Sequence, residues 1–438
     1  MHSVMFLFKI LKSFSPEFSR KRSHIVFCMA ALSIMCGYGA TCTEMTRFFG
    51  GGNTIYSALL RLFASRAWGV AKIQRKWAKI VYFFMESFLY TVNGKPVYIL
   101  DRTIIEKHGT KISGVSKQFS TVRKHAVNGH ALEVLGIAVN KGPSTICLPL
   151  AFVFLWKSAS PMQAQLCRWL NGLHKWIVGP GYLVADAYYS KKEIIKSISK
   201  SQLELVSRVR IDTVGYKKAP TPQKKKRGRP KTYGDKVELR KLFENKALFK
   251  QICVGGEKYQ YYSVDLLWDS AIKPVRFLLL KVGRTQMILL STDLALKPKQ
   301  IAEMYLRRSS IERSFRFGKQ STKLGNYKFW SKEQKTVLIK RESYKKHIML
   351  NLICQGILQI LAIKFPKEIW AGNRLWIRTL DDSKPPSEEV TQVFLESQLV
   401  KYFLRQISPV QKMENLLENI LKEKNSEISE AERRHEAA

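Results

Sequence analysis

The chain has 438 residues, with 74 Lys+Arg against 34 Asp+Glu and a formal net charge of +40. So large an excess argues against a neutral enzyme with a small-molecule substrate. It points to a long polyanion, nucleic acid first, because each neutralised phosphate releases counterions. Apolar residues make up 45%, enough for a real core, and the length suits two or three domains. The cysteines, at 28, 36, 42, 147, 167, 253 and 354, include no Cys-x-x-Cys pair. That spacing disfavours a zinc ribbon or a disulfide framework and fits reduced thiols in a cytosolic compartment.

Residues 1–92 read as a helical N-terminal DNA-binding region. Within it, "IVFCMAALSIMCGYGATC" (Ile25 to Cys42) is uncharged and follows the basic "RKRSH", as a signal peptide or membrane anchor would. Gly, Ser and Thr dilute the run, so a buried helix is the preferred reading. "TEMTRFFGGGNTIYSALLRLFAS" then resembles a helix-turn-helix, with glycines at the turn.

The texture changes after the turn "NGK" (Asn93 to Lys95). "PVYILD", "GHALEVLGIAV" and "STICLPLAFVFLW" are apolar runs separated by breakers, which predicts a three-strand meander. "SPMQAQLCRWLNGLHKWI" follows as a helix, with Ser160 as N-cap and Pro161 at the first helical position. "GYLVADAYYS" is a fourth strand stopping at an acid, and a helix follows from about Lys191. This order is that of an RNase H-like α/β core, whose first part occupies 93–212. In that fold the first and fourth strands are neighbours, so Asp101 and Asp186 are expected together at the strands' C-terminal ends.

"GYKKAPTPQKKKRGRPKTYGDK" (Gly215 to Lys236) carries eight basic residues between Lys217 and Lys231 and no acid in that span. It reads as an exposed basic loop. "KKKRGRPK" within it holds the Arg-Gly-Arg-Pro core of an AT-hook, in which Arg227 and Arg229 enter a narrow A·T minor groove beside Lys231. A generic basic tether is the plainer alternative, and either form touches DNA. "YQYYSVDLLW", "VRFLLLKV" and "QMILLSTDL" complete a β-rich insertion over 213–295. Residues 296–365 are expected to carry a Glu-bearing helix and complete the core, and 366–438 to form a helical C-terminal region. The last 28 residues, with five basic and seven acidic side chains, are not expected to bind polyanion.

"YLRRSSIERSFRFGK" (Tyr305 to Lys319) sets one acid, Glu312, among four arginines and a lysine. At ~100° per residue, Tyr305, Arg308, Glu312 and Lys319 share one helix face. Taken alone this is a solvated face, with Glu312 paired to Arg308 and Arg316. Asp101 and Asp186, each closing an apolar run, are individually read as turn or cap residues, as Asp293 in "LLSTD" is. Together, three carboxylates from two adjacent strands and a helix would repel unless a divalent cation neutralised them. Oxygen-only ligands favour two Mg²⁺ ions, with Mn²⁺ able to substitute. Two such ions serve phosphodiester displacement, with the surrounding Arg, Lys and Tyr on the phosphates.

The spacing Tyr-x2-Arg-x3-Glu-x6-Lys at Tyr305, Arg308, Glu312 and Lys319 resembles the YREK signature of bacterial insertion-sequence DDE transposases, the "insertion sequence four" superfamily. "LDRTIIEKHGTKISG" is similar to that family's first-Asp box and "VADAYYS" to its second. "LLSTDLALKPKQIAEMYLRRSSIERSFRFGK" is similar to the strand and helix leading into its Glu. The resemblance covers roughly residues 90 to 365. It implies that Asp101, Asp186 and Glu312 bind the catalytic metals, and that Tyr305, Arg308 and Lys319, with Arg316 nearby, contact DNA phosphates. It also implies cut-and-paste transposition, in which water nicks a transposon end and the freed 3′-OH attacks target DNA. A homodimer on double-stranded DNA is implied, in the bacterial cytoplasm at the nucleoid and without membrane association. Arg102 departs from the family, many of whose members have a second acid there; its side chain is expected on the strand's other face. Two readings of other classes stand beside this one, a non-catalytic DNA-binding protein and an RNase H-like nuclease without strand transfer.

Overall fold

The computed structural model describes residues 2–39, 41–108, 112–120, 123–156, 160–220, 231–271, 273–327, 336–372, 383–403 and 413. The chain opens with the helices α1 (His2–Lys12), α2 (Lys21–Met35), α3 (Cys42–Phe48), α4 (Asn53–Ala64) and α5 (Val70–Met85), of which α1, α4 and α5 are amphipathic. Residues 25–35 of the uncharged run lie in α2, which is buried throughout from His24 to Met35. Gly50, Gly51 and Gly52 turn the chain between α3 and α4 with φ of 84°, 88° and 109°, a region closed to most side chains.

The strands and helices of the next stretch are β1 (Thr91–Val92), β2 (Lys95–Glu106), β3 (Ser116–Ser120), β4 (His125–Lys141), β5 (Ser144–Leu155), α6 (Met162–Leu170), β6 (Gly181–Ala185), α7 (Lys192–Ser199) and β7 (Leu203–Val209). The centre of the sheet runs β5-β4-β2-β6-β7, with β4 antiparallel to β2 and β5, and β2, β6 and β7 mutually parallel. β2 and β6, the first and fourth strands read from the sequence, are neighbours as expected. Both faces of these strands are covered, which is why they read as continuous apolar runs rather than alternating ones. Pro161, whose ψ of 146° is extended, stands at the cap of α6 in place of Ser160.

β8 (Val214–Lys218) and β9 (Tyr233–Glu238) form a separate hairpin holding the ends of the basic loop. Arg227 and Arg229, and with them the AT-hook expectation, lie outside the described residues; Lys231 is exposed just before β9. Then come α8 (Leu239–Leu242), β10 (Lys250–Val254), β11 (Glu257–Leu266), β12 (Val275–Val282) and β13 (Thr285–Ser291). β13 pairs antiparallel with β7, and β12, β11 and β10 follow, so the central sheet continues across them. Among the described residues it counts eleven strands.

The chain closes with α9 (Pro298–Arg307), α10 (Ser309–Gln320), α11 (Val337–Lys364), α12 (Pro366–Gly372) and α13 (Glu388–Phe403). The near-neutral tail lies outside the described residues, except Met413. α11 is long and apolar enough to cross a membrane, yet its apolar window is wholly buried in the fold. It packs on α2, α4, α5 and α13 on its helical sides and on β5, joining the N-terminal helices to the sheet. At Gly356 a Cβ would lie 2.3 Å from the Trp77 indole, so glycine there lets α5 approach.

Two buried histidines give the fold an acid sensitivity. Desolvation, helped by Lys107 and Arg341, pulls His130 from 6.5 down to about 4; desolvation and Lys107 pull His347 to about 3. Both rings stay neutral in the fold where the unfolded chain takes up protons, so their contribution to stability is full above pH 6.5 and falls as pH drops toward 4, against the opposite trend of Asp101, whose raised pKa favours the fold as pH drops. By pH 4 each ring should have removed on the order of 3 kcal/mol. Urea unfolding at pH 7 and pH 4.5 checks this, and His130→Gln should flatten the dependence; equal slopes in both proteins would refute the assignment.

Candidate active site

β2 and β6 set the two aspartates. Their parallel pairing runs Val97↔Tyr182, Tyr98↔Leu183 and Ile99↔Val184, and carrying that register two residues further brings Asp101 level with Asp186. Neighbouring strands lie about 4.8 Å apart, so the two carboxylates share one rim. Asp101 does not end its strand, as the sequence suggested. β2 continues antiparallel to β4 as far as Glu106, and Asp101 sits where the parallel neighbour stops. Asp186 directly follows β6 and caps a short 3₁₀ turn (Ala187–Tyr189), its Oδ1 accepting from Tyr188 N at 2.8 Å. Its carbonyl accepts from Ser207 Oγ on β7 at 2.7 Å.

Glu312 arrives on α10. The helix predicted to carry the signature as one rod is divided at Arg308, whose amide bonds to the Tyr305 carbonyl three residues back at 3.0 Å. Such a tightened turn overwinds the helix and alters which side chains share a face. Arg308 is thereby aimed at the acids. One terminal nitrogen donates to Asp101 Oδ2 at 2.9 Å and the other to Glu312 Oε1 at 2.5 Å. The guanidinium thus bridges two of the three expected carboxylates.

Asp101 is buried, and burial pushes its pKa up to about 7; Arg308 opposes this, and the charges of Asp186 and Glu312 add to it. Asp101 is thus within electrostatic reach of each of the other two acids. Among the described residues they do not close into a preformed metal cluster, because Arg308 lies between two of them. The donor set still fits a hard divalent cation. All three candidate donors offer carboxylate oxygens, and Asp101 among them is a buried acid with the charges of the other two nearby.

The remaining signature residues take different places. Tyr305 is half-buried beside Arg308, and desolvation raises its pKa against the pull of Arg308 and Arg208. Lys319, near the end of α10, has its pKa lowered by desolvation of its ammonium, with Glu106 opposing. Arg316 does not join the acids. It lines another cleft beside Lys141 and Arg313, and Glu312 pairs among the described residues with Arg308 alone. Arg307 and Arg313 are struts, the first over the Tyr90 ring at 4.0 Å and the second donating to the Thr145 carbonyl at 2.9 Å. Asp293 holds a turn, with Oδ1 accepting from Ala295 N at 2.8 Å.

Beside the acids opens a cleft of about 650 Å³ lined by Asp186, Arg208, Arg210, Arg240, Tyr305 and Arg308. Sequence reasoning singled out none of Arg208, Arg210 and Arg240. The alternation in "LELVSRVRI" carried a signal, since its arginines follow an apolar strand to the rim that holds Asp186. Arg102 points to the other face from Asp101, as expected, with Nε 2.5 Å from Oε1 of Glu133.

A piggyBac transposase, solved by cryo-EM as a synaptic complex with hairpin DNA, aligns over 92% of this chain and 76% of that one, with 10% identity and a TM-score of 0.41. Among curated proteins none matches. Residues 93–339 match the transposase DDE domain family, a span running from the turn before β2 to the start of α11, and the chain belongs to that family.

Proposed function

We propose that the protein is a cut-and-paste DNA transposase of the YREK-signature "insertion sequence four" superfamily, with an RNase H-like core that cleaves transposon ends and joins them to target DNA. One observation carries this reading. Arg308 spans Asp101 and Glu312 while strand register sets Asp186 level with Asp101, so acids from three distant segments meet beside an arginine-lined cleft. Asp101, Asp186 and Glu312 would hold two Mg²⁺ ions, or Mn²⁺ in their place. When bound, such ions activate an attacking oxygen and stabilise a leaving one.

The chain's own residues do the rest. Tyr305, Arg308 and Lys319 bind phosphates near the cleaved bond, Arg208, Arg210 and Arg240 continue that path, and Arg316 adds charge further along α10. Lys231, with Arg227 and Arg229, brings the basic loop onto the duplex. A cleft of about 500 Å³ lined by Arg20, Arg22 and Arg61 supports a DNA-binding role for residues 1–92. The units 93–212, 213–295, 296–365 and 366–438 serve as core, insertion, Glu-helix completion and C-terminal region. The working form is a homodimer on paired ends, at the nucleoid in the cytoplasm, with no membrane partner.

The test incubates the full chain with Mg²⁺, a linear duplex bearing the DNA that flanks its coding sequence, and a supercoiled target plasmid. Metal-dependent nicks at the element's end and joined products are expected. Nicks without joined products at any Mg²⁺ or Mn²⁺ concentration would favour a nuclease, and binding without nicks a non-catalytic DNA-binding protein.

A further inference from the structure

Glu133 has no part in the chemistry above, yet it is wholly buried in the middle of β4, inside the apolar run "GHALEVLGI". A buried carboxylate survives only where its partners offset the loss of water. Its partners are specific. Oε1 accepts from Nε of Arg102 at 2.5 Å, its register neighbour across β2 and β4, and Oε2 accepts from the Tyr189 hydroxyl. The Arg102 guanidinium also lies over the Tyr188 ring, 4.4 Å from its centre.

These partners sit beside the catalytic aspartates. Arg102 directly follows Asp101, and Tyr188 and Tyr189 form the turn that Asp186 caps. The β2–β6 pairing ends at Ile99↔Val184, two residues short of Asp101. Beyond that point the ladder between the two strands no longer fixes their separation. The Arg102–Glu133–Tyr189 chain spans this gap on the face opposite the Asp101 carboxylate, since successive side chains alternate across a strand.

We infer that Glu133 is a positioning residue of the active site. Through Arg102 and Tyr189 it fixes the relative position of Asp101 and Asp186, the pair that would share a divalent cation, and being buried it touches neither DNA nor metal. The inference rests on the reading of Asp101 and Asp186 as a catalytic pair. It also accounts for Arg102, since the residue after the first aspartate here serves as one arm of the brace.

Two variants test it. Tyr189→Phe deletes only the hydroxyl that meets Glu133. Arg102→Met with Glu133→Leu replaces the buried ion pair by apolar groups, an exchange that commonly preserves folding. Thermal melting reports the fold, the electron paramagnetic resonance of free Mn²⁺ reports metal affinity without DNA, and end cleavage gives kcat and KM. Both variants should fold, bind Mn²⁺ roughly 10–100-fold more weakly, and lose kcat with little change in KM for DNA. Wild-type Mn²⁺ affinity and kcat in both would overturn the inference, and if the double variant fails to fold, Tyr189→Phe alone decides. Asp101→Asn separates the two levels. If it too binds Mn²⁺ and cleaves like wild type, the catalytic reading itself fails; if it is inactive while the brace variants are unaffected, only the positioning role of Glu133 is lost.

Discussion

Glu312→Gln is expected to abolish Mg²⁺-dependent end cleavage while leaving the protein folded and bound to DNA. The substitution keeps the side chain's shape and removes one negative charge from the three that would face the metal. A ligand charge lost from a phosphodiester site should cost about 4 kcal/mol of transition-state stabilisation, or ~10³-fold in rate. Stability should hardly move. The Glu312 side chain is 55% exposed, Arg308 keeps its bond to Asp101, and surface pairs of this kind contribute about 0–1 kcal/mol. DNA affinity should stay level or rise slightly, because an acid beside phosphates has been neutralised. Single-turnover cleavage and a gel-shift on the same duplex separate these effects. A variant that cuts like wild type would remove Glu312 from the metal site.

The second large effect is on stability. Trp77 on α5 is fully buried, its indole nitrogen donates to the Pro149 carbonyl on β5 at 2.7 Å, and its ring lies over Gly356 of α11. Trp77→Ala therefore empties a space shared by the N-terminal helices, the central helix and the sheet. Such truncations cost about 3–5 kcal/mol, a large share of the roughly 5–15 kcal/mol that holds a domain folded. Urea unfolding should show a lowered midpoint and one transition for helices and sheet together. If wild type instead melts its N-terminal helices separately, with the sheet unaffected by the substitution, the shared core is refuted.

Much of the site was legible because acids are scarce in this chain. An acid after an apolar run stands out against Val97 to Leu100 or Leu183 to Ala185, and strand order then made neighbours of residues far apart. What escaped depends on partners that sequence does not name. β2 outruns Asp101 because β4 is long enough to pair with it, and periodicity carries no information about a partner's length. The later strands joined the central sheet because β13 matched the free edge of β7, a choice between distant segments that looks the same locally either way. The division at Arg308 leaves helical dihedrals almost intact, so face arithmetic passed straight through it. Glu133 was the readable omission. A lone acid within an apolar strand implies a buried partner, and strand register supplies Arg102 as that partner.

The continuity of the sheet also sets an order of events in time. β7 must wait for β13, and α10 packs against β5 only after the whole excursion through the basic hairpin has been made. Pairings between such distant segments form slowly, because loop closure is unfavourable until the contacts it permits are made. A nascent chain therefore holds its first two carboxylates long before the third exists. On the proposed reading, a chain cut short before α10 holds two of the three acids and cannot complete the site, which forms only when α10 docks on β5.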